Sequence, residues 1–313
     1  MKKNLIVILG PTACGKTKLA ARLAFDFQGE IISVDSRQVY RGMDIGTGKD
    51  LQDYNVNGVK IPCHLIDIVN PAEEFNLFEF QKRFYEIHRK LIAKKIIPFA
   101  AGGTGLYLEA IIAGYQMPPA VSSTEFRIKL QEKSSEELRA TLLELKPTQH
   151  NKTDLDDKER IIRAIEIEMA RKQTATGERI QDIDAAVFGV KLDRERLREL
   201  ITTRLKQRLQ AGMIEEAVRL HNEGVTWERM EGFGLEYRYL SQYLQNKISH
   251  EEMFNKLNTA IHQFAKRQMT WFRRMERKGI VINWIEADDY KLLKESVNKY
   301  LDEKTGSNQS LSE

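Results

Sequence analysis

Short apolar runs and amphipathic segments alternate along the first part of the chain. The runs NLIVIL (4–9), EIISVD (30–35) and IIPFAAGG (96–103) contain few polar positions, as strands buried on both faces do, and HLIDIV (64–69) is similar. Between them, NLFEFQKRFYEIHRKLIAK (76–94) repeats apolar residues every three to four positions, which indicates an amphipathic helix. This alternation predicts an α/β fold, a parallel sheet with helices on both faces.

The pattern changes at GYQMPPAVSS (114–123), where two prolines and small polar residues interrupt the periodicity. The next residues are helical in pattern and rich in charge, and an apolar strand returns only at VFGVKL (187–192). Further helices are predicted at 194–222, 235–246 and 250–278. We therefore predict a core formed by 1–114 and 185–300, a helical insertion at 115–184 and a disordered tail at 301–313.

Between the first predicted strand and helix lies GPTACGKT, which matches the pattern G-x-x-x-x-G-K-[ST] in full. In such a loop, glycines let backbone N–H groups wrap an anion at the N-terminus of the helix. Lys16 would add a mobile cation, and the hydroxyl of Thr17 would be a ligand of Mg²⁺. The pattern does not say which phosphate is bound. The residues of the predicted phosphate site are Gly10, Pro11, Thr12, Ala13, Cys14, Gly15, Lys16 and Thr17.

A nucleoside triphosphatase needs further parts besides this loop, and two segments of the chain resemble such parts. NKTD (151–154) has the composition of the guanine-reading box of GTPases, but the residues before it are neither apolar nor typical of a strand. HLID (64–67) either places a metal-binding aspartate, Asp67, after a strand or is an ordinary edge of the sheet. Neither segment completes such an enzyme.

Asp35 follows the second predicted strand, at the carboxyl edge of the sheet, where open α/β sheets bind their ligands. The first strand delivers Lys16 and Thr17 to the same edge. At this position Asp35 has three possible roles, as metal ligand, helix cap or general base, and the residues alone do not choose among them. AGGTGLY (101–107) reaches the same edge from another strand, and there Thr104 either caps a helix or hydrogen-bonds a substrate.

FAKRQMTWFRRMERK (264–278) separates into two faces on a helical wheel. The packing face contains Phe264, Ala265, Gln268, Met269, Trp271, Phe272 and Met275. The basic face contains Lys266, Arg267, Arg273, Arg274, Arg277 and Lys278. A merely solvated helix usually alternates charge signs, whereas Glu276 is nearly the only acid here. The segment therefore indicates contact with nucleic acid.

The composition is that of a globular protein from a reducing compartment. With 42% hydrophobic and 30% charged residues, a chain of 313 residues can bury a large core. Its net charge of +4 permits a polyanionic partner without requiring one. Cys14 and Cys63 are too few for a disulfide framework, and no run approaches the ~20 apolar residues of a membrane span. We expect a soluble cytoplasmic protein without a membrane partner.

Five segments, in this order and spacing, resemble the tRNA dimethylallyltransferase (tRNA isopentenylpyrophosphate transferase) family. They are GPTACGKT (10–17), ISVDSRQVYRGMDIGTGK (32–49), HLIDIVNP (64–71), AGGTGLYLEAI (101–111) and FAKRQMTWFRR (264–274). The resemblance implies a P-loop α/β protein with a helical insertion. It also implies transfer of a dimethylallyl group from its diphosphate to N6 of adenosine 37, just 3′ of the anticodon of tRNA.

The resemblance further implies roles for individual residues. The phosphate loop would hold dimethylallyl diphosphate together with Mg²⁺, and Arg204 would contact the diphosphate. Asp35 would be the base that takes a proton from the adenine amine, and Thr104 would touch the adenine, which must leave the stacked RNA. The anticodon arm of tRNA would contact a monomeric enzyme. The contacting residues would be Asp35, Ser36, Arg37, Gln38, Thr104, Arg127, Arg160, Arg163, Tyr237, Arg238, Lys266, Arg267, Arg273 and Arg274.

Two positions depart from the family pattern. Glu236 stands where the family usually has glycine, and Leu200 replaces an arginine one helical turn before Arg204. Three alternatives stay open: a transferase that prenylates free adenylate, an ATP-dependent small-molecule kinase and a non-enzymatic RNA-binding protein. The basic helix favours a macromolecular acceptor, and a protein without catalysis would leave Asp35 and Thr17 without a purpose.

Overall fold

The computed structural model describes residues 4–114, 124–145, 147, 158–173 and 183–302. Its strands are β1 (Leu5–Leu9), β2 (Glu30–Val34), β3 (Asn55–Val56), β4 (Val59–Lys60), β5 (Cys63–His64), β6 (Pro98–Gly102), β7 (Ala185–Lys191) and β8 (Ile282–Glu286). Its α-helices are α1 (Lys16–Asp26), α2 (Leu77–Ala93), α3 (Gly105–Ile112), α4 (Thr124–Gln131), α5 (Ser135–Leu145), α6 (Lys158–Gln173), α7 (Arg194–Gln210), α8 (Met213–Asn222), α9 (Trp227–Gly232), α10 (Leu235–Leu244), α11 (His250–Arg277) and α12 (Tyr290–Asp302). A short 3-10 turn spans Leu51–Tyr54.

Six of the described strands form one parallel sheet in the order β5–β2–β6–β1–β7–β8. Successive residues of a strand point to opposite faces of a sheet. Ile6 and Ile8 pack with residues of α1 and α12 on one face, Val7 points to the other, and all three are buried. Both faces of the sheet are therefore covered, and the predicted α/β fold is confirmed.

The carboxyl ends of β1, β2 and β6 lie side by side. Leu9 and Val34 are both in register with Gly102 of the central strand β6. A Cβ atom on Gly102 would overlap the carbonyl oxygen of Val34, so this close approach of two strands requires glycine. Because the strands are parallel, the loops that follow all three emerge at the same edge of the sheet.

The third predicted strand is shorter than its apolar run. Only Cys63 and His64 pair with β2. Leu65 and Asp67 have φ angles of 63° and 55°, in the left-handed region, which ends the extended conformation. Val69 then returns to a single bridge with Tyr40 outside the named strands.

The C-terminal half contains more elements than the periodicity predicted. The helix predicted at 194–222 is divided into α7 and α8, because Gly212 has a φ angle of 98°. Elements β8, α9 and α12 were not predicted, and β8 extends the sheet by pairing with β7. Helix α12 ends at Asp302, so the tail predicted from residue 301 started too early, and 303–313 lie outside the described residues.

The chain divides into two compact units. One comprises Met1–Asn76, Phe80–Ala113 and Ile183–Glu313, and the other comprises Leu77–Glu79 and Gly114–Asp182. The second unit contains α4, α5 and α6, and it includes 115–182 of the helical insertion predicted at 115–184. The buried core of its described part is formed by Leu130, Leu138, Leu142, Ile161, Ile162 and Ile165.

Candidate active site

The loop Gly10–Thr17 connects β1 to α1, as its motif predicted. Ala13 and Gly15 take left-handed φ angles of 63° and 81°, and Gly15 is the N-cap of α1. Left-handed residues in a tight loop turn successive backbone N–H groups to one side, where they form a concave anion-binding surface. The positive end of the α1 dipole adds to the attraction. The geometry of this loop is therefore suited to a phosphate group.

Lys16 lies among both positive and negative groups. Its Nζ donates a hydrogen bond to the carbonyl oxygen of Pro11 at 3.2 Å. Burial lowers the pKa of Lys16, the charge of Arg204 lowers it further, and Cys14 and Asp35 act in the opposite direction. The structure thus brings Asp35 close enough to Lys16 for their charges to interact, as expected from two strands that end at the same edge of the sheet.

Asp35 begins a turn immediately after β2. Its Oδ1 accepts hydrogen bonds from the backbone N–H groups of Arg37 at 2.8 Å and Gln38 at 3.3 Å. Among the described residues, no group donates to Oδ2. One oxygen of the carboxylate therefore orients the side chain, and the other is available for a proton or a ligand.

Thr104 joins this turn to the loop that follows β6. It is the N-cap of α3, but its side chain makes no capping hydrogen bond within that helix. Instead, its Oγ1 accepts a hydrogen bond from the backbone N–H of Ser36 at 3.3 Å. The two residues predicted to act on the acceptor, Asp35 and Thr104, therefore belong to one hydrogen-bonded unit at the edge of the sheet.

Gln268 of α11 joins the loops after β1 and β6. Its Oε1 accepts from the backbone N–H of Thr12 at 2.8 Å, and its Nε2 donates to the carbonyl oxygen of Gly103 at 2.8 Å. A Cβ atom on Gly103 would clash with this amide and would stand 3.4 Å from Cε of Lys16. The sequence assigned Gln268 only to a packing face. A long polar side chain among apolar neighbours was the signal of its bridging role.

Two arginines of α7 lie on the other side of the loop. Arg204 forms an ion pair with Asp50, and Nη2 of Arg208 lies 3.4 Å from the same carboxylate. Both side chains are largely buried, and neither Asp50 nor Arg208 was identified from the sequence. Arg204 and Arg208 border a cavity of about 20 Å³, which has room for about one water molecule. The lining residues are Thr12, Ala13, Ile201, Arg204, Leu205, Arg208, Met213, Glu236 and Ile261.

The carboxylate of Glu216 holds the segment between β2 and the 3-10 turn. Backbone N–H groups of Asp44, Ile45 and Gly46 donate to it at 2.8–2.9 Å. The hydroxyl of Tyr237 donates to it at 2.6 Å. This buried carboxylate is therefore satisfied by hydrogen bonds. It fixes the backbone that leads to Asp50, the N-cap residue of the 3-10 turn.

Replacing Glu216 by alanine should destabilise the fold, because three N–H groups and a hydroxyl would lose their acceptor. The free energy of unfolding is expected to fall by about 1–3 kcal/mol for each buried donor that stays unpaired. Urea denaturation measures this loss. Glu216→Gln, which keeps an acceptor oxygen, should lose less, and the exposed neighbour Glu215 provides the control Glu215→Ala. Equal losses for Glu215→Ala and Glu216→Ala would contradict this assignment.

Lys49 is a second buried charge in the same segment. Its Nζ donates to the carbonyl oxygen of Tyr40 at 2.7 Å and to Asp44 at 2.6 Å, and it forms an ion pair with Asp67. Asp67 of the HLID segment is thus the partner of a lysine. This observation favours the reading of HLID as an ordinary part of the fold over that of a metal site.

Two residues predicted to bind tRNA have side chains that are used within the protein. Gln38 accepts a hydrogen bond from Ser33 Oγ and donates one to the carbonyl oxygen of Gly48, both at 3.0 Å. Tyr237 is 1% exposed and donates its hydroxyl to Glu216. Both side chains therefore support the loop, and their contact with tRNA stays a prediction.

The neighbouring candidates retain accessible groups. Ser36 and Arg37 are half-buried, and Nη1 of Arg37 donates to the carbonyl oxygen of Gly232 at 3.1 Å. Burial lowers the pKa of Arg37, and Asp35 is the first of the charges that oppose this shift. Arg238 is exposed. A contact of these three residues with tRNA stays a prediction.

Helix α11 has the two predicted faces, with one exception on the packing side. Ala265, Gln268, Phe272 and Met275 are buried. Phe264 is 38% exposed, so its assignment to the packing face was wrong. The guanidinium of Arg267 lies 5.9 Å from the centre of its ring, on the solvent side of the helix.

The basic side of α11 is accessible to a polyanion. Lys266, Arg267 and Arg273 are exposed, and Arg274 is half-buried with its guanidinium 4.9 Å from the centre of the Trp271 ring. A cation at this distance from an indole face is held in place by the ring. Just beyond the helix, Lys278 forms an ion pair with the buried Glu109, so the helix presents fewer unengaged cations than the wheel suggested.

The second unit places two of its predicted tRNA-binding arginines around one carboxylate. Nη1 of Arg127 lies 3.7 Å, and Nη1 of Arg163 3.1 Å, from the buried Glu166. Arg160 is exposed on the same helix as Arg163. Their contacts with tRNA stay a prediction. The NKTD segment (151–154) lies outside the described residues.

The residues near the loop fit a magnesium ion that binds together with a phosphate. The described part of the chain contains no group of three or more His, Cys, Asp or Glu side chains able to hold a metal. Thr17 offers one hydroxyl in the first turn of α1, beside Lys16. Mg²⁺ commonly binds one or two protein groups, substrate phosphates and water. This arrangement therefore suits a substrate-dependent ion rather than one caged by the protein.

The parallel sheet, the glycine-rich loop after β1 and the carboxylate after β2 define an α/β protein with a phosphate-loop motif at the carboxyl edge of its sheet. A sequence comparison gives the family: the IPP transferase family model matches residues 38–275. The chain belongs to the IPP transferase family.

Two relatives extend the similarity over nearly the whole chain. The chain is 53% identical over 299 residues to tRNA dimethylallyltransferase 1 of Syntrophus aciditrophicus, covering 95% of this chain and 98% of that one. It is 53% identical over 285 residues to tRNA dimethylallyltransferase 2 of Bacteroides fragilis, covering 91% of this chain and 93% of that one.

Solved structures share the fold. The full-length tRNA isopentenylpyrophosphate transferase of Bacillus halodurans matches with a TM-score of 0.71 and 30% identity, over 97% of this chain and 99% of that one. A eukaryotic dimethylallyltransferase acting on tRNA matches with a TM-score of 0.76, over 100% of this chain and 81% of that one. At 23% identity, the second match is evidence for the fold alone.

Proposed function

We propose that this protein transfers a dimethylallyl group from dimethylallyl diphosphate to N6 of adenosine 37 in tRNA and releases diphosphate. One observation carries the proposal. Asp35, which has an oxygen free of hydrogen bonds from the described residues, stands within electrostatic reach of Lys16 in the anion-binding loop. A proton acceptor and a diphosphate site at one edge are what this transfer requires. Family membership and the names of the relatives support the same reaction.

In the proposed mechanism, the loop Gly10–Thr17 binds the diphosphate of the donor. Backbone N–H groups, Lys16 and Arg204 stabilise the negative charge that grows on the diphosphate as the allylic C–O bond breaks. Thr17 would hold Mg²⁺ at this site, and the ion would supply further positive charge at the leaving group. The other steps belong to side chains of the protein.

The acceptor is an amine whose lone pair is delocalised into the adenine ring. Oδ2 of Asp35 takes the proton that N6 loses as the new C–N bond forms, which makes the amine a better nucleophile. Oδ1 stays bound to the turn and holds the carboxylate in position. Thr104 lies beside this turn, where it would contact the adenine after the base has left the RNA stack.

The basic side of α11 supplies the electrostatic attraction for tRNA. Exposed Lys266, Arg267 and Arg273, with Arg274 beside Trp271, would neutralise phosphates of the anticodon arm. No described helix is both long and apolar enough to cross a membrane. We further propose that the enzyme acts in the cytoplasm as a monomer.

A double variant, Arg273→Gln with Arg274→Gln, should weaken tRNA binding and flatten its dependence on salt. The slope of log K against log salt should fall by about one for each phosphate contact that is lost. Binding titrations at several salt concentrations measure the slope. The double variant Lys291→Gln with Lys299→Gln removes the same charge from exposed positions of α12 and serves as the control. An unchanged slope in the α11 variant would remove this helix from the interface.

The reaction itself separates this proposal from its alternatives. The protein is incubated with Mg²⁺ and labelled dimethylallyl diphosphate, and with either unmodified tRNA, the same tRNA carrying guanosine at position 37, or AMP. Label in unmodified tRNA alone is expected. Label in AMP would instead identify an adenylate prenyltransferase, and label in the guanosine variant would disprove the proposed position. No transfer, together with phosphorylation of a metabolite by ATP, would identify a kinase.

A further inference from the structure

Arg208 is a largely buried cation beside the anion-binding loop, and the proposed mechanism gives it no role. Its side chain is 15% exposed, and it follows Arg204 by one turn of α7. Burial lowers the pKa of Arg208, and the charge of Arg204 lowers it further. Arginine nevertheless stays charged in proteins. The fold therefore holds a permanent positive charge in a place where burial makes it costly.

Three cations, one from α1 and two from α7, converge on the loop. Lys16, Arg204 and Arg208 are close enough that each arginine lowers the pKa of Lys16. Asp50 is shared between the two arginines. Asp35 interacts with the charge of Lys16, and Glu236, whose pKa is raised by burial, lines the same cavity as the two arginines. Three cations that converge on a loop of backbone N–H groups are an arrangement suited to a polyanion.

The hydrogen bonds of Arg208 also indicate an incomplete set of partners. Nη2 reaches Asp50 at 3.4 Å, which is a long contact. Nε is buried and, within the described part of the chain, has no hydrogen-bond partner. Buried polar groups usually have a partner, and a structural arginine would be expected to use its Nε. The guanidinium is held in place but retains a free donor.

The position of Arg208 on α7 is consistent with this reading. Leu200, Arg204 and Arg208 follow one another at four-residue spacing and so lie in one row along α7. Leu200 is 36% exposed, whereas Arg204 and Arg208 line the cavity beside the loop. Gly48 leaves space for the guanidinium, because a Cβ atom there would overlap with it. The chain therefore provides a defined position for this side chain between Gly48 and the cavity beside Thr12 and Ala13.

We propose that Arg208 is a binding residue for the diphosphate of the donor, acting with Arg204 and Lys16 at the loop Gly10–Thr17. This inference rests on the proposed function, since it assumes a diphosphate at the loop. Asp50 is the positioning residue that orients both arginines. Bound diphosphate would accept hydrogen bonds from the guanidinium, including one from the Nε–H group that has no partner among the described residues.

Calorimetric titration with inorganic pyrophosphate and Mg²⁺, without tRNA, tests this inference. Arg208→Gln should weaken pyrophosphate binding by about 10- to 100-fold, the typical effect of losing a hydrogen bond to a charged group. Lys206→Gln is the matched control, because it removes the same charge from an exposed position two residues away on α7. It should change the dissociation constant by less than about twofold.

Steady-state kinetics supply a readout that a purely structural role would not give. Arg208→Gln should raise the KM for dimethylallyl diphosphate while the KM for tRNA stays unchanged. Arg208→Lys, which keeps the charge but loses the forked donors, covers the case in which the glutamine variant does not fold. It should bind pyrophosphate more weakly than the unaltered protein. Unaltered pyrophosphate affinity in a folded Arg208 variant would overturn this inference alone, whereas a lack of pyrophosphate binding by the unaltered protein would overturn the proposed donor site as well.

Discussion

Asp35→Asn is expected to slow dimethylallyl transfer by about 10²–10⁴, the usual contribution of a positioned general base, while tRNA binding persists. The substitution is suited to the question because an asparagine oxygen can still accept the hydrogen bonds of Arg37 and Gln38, so the turn is retained. The amide cannot take a proton at the pH of the reaction. Single-turnover kinetics and a tRNA-binding titration measure the two properties separately.

The chain offers a closely matched control for this variant. Asp193 accepts hydrogen bonds from the N–H groups of Glu195 at 2.9 Å and Arg196 at 3.1 Å, at the exposed N-terminus of α7. Asp193→Asn therefore makes the same chemical change in the same kind of turn outside the site, and it should leave transfer unchanged. If Asp35→Asn lost transfer and tRNA binding to the same degree, Asp35 would be a structural residue rather than the base.

Lys16→Ala is expected to reduce the rate of transfer by about 10²–10³, the typical cost of removing one group that stabilises developing negative charge. The same substitution should not lower the free energy of unfolding at neutral pH. Burial lowers the pKa of Lys16, so the folded state disfavours the charged side chain relative to the unfolded chain. That penalty applies at pH values below the lowered pKa and is relieved as the pH rises through it. Removing the charge should therefore not destabilise the protein at neutral pH.

Transfer kinetics measure the rate, and urea denaturation of the same preparation measures the free energy of unfolding. Lys18→Ala is the control, because Lys18 lies on the same helix but is exposed. It should retain the rate and stability of the unaltered protein. A Lys16→Ala variant that kept its full rate would show that the loop does not act on the leaving diphosphate.

The phosphate loop and the position of Asp35 could be predicted because each depends on residues that are neighbours in the sequence. The motif Gly10–Thr17 lies between an apolar run and an amphipathic segment, and β1 and α1 form there. Asp35 comes directly after a second apolar run, and parallel pairing through β6 brings it to the same edge as Lys16. A general rule of α/β sheets placed both residues at the carboxyl edge, and the parallel register confirmed it. That β6 lies between β1 and β2 was not predicted.

The residues that complete the site could not be found in this way. Gln268, Arg208 and Asp50 act on the loops through contacts between positions far apart in the sequence. Periodicity assigns a side chain to a face of a helix, but it does not say which loop the face meets. The same limit applies to Tyr237, which only the family resemblance singled out, and whose hydroxyl donates to Glu216.

The sequence by itself determined the class of fold, the phosphate-loop motif and the position of Asp35 at the end of a strand, because hydrophobic period and glycine placement act over a few neighbouring residues. The role of Asp35 as the base came only from the family resemblance. The sequence also identified the basic side of α11, since six cations on one helical segment need no tertiary partner to be recognised. Only the tertiary structure decided which charges meet. Lys16, Asp50 and the pair Arg204 and Arg208 come from three separate segments, and burial together makes their interactions strong enough to matter.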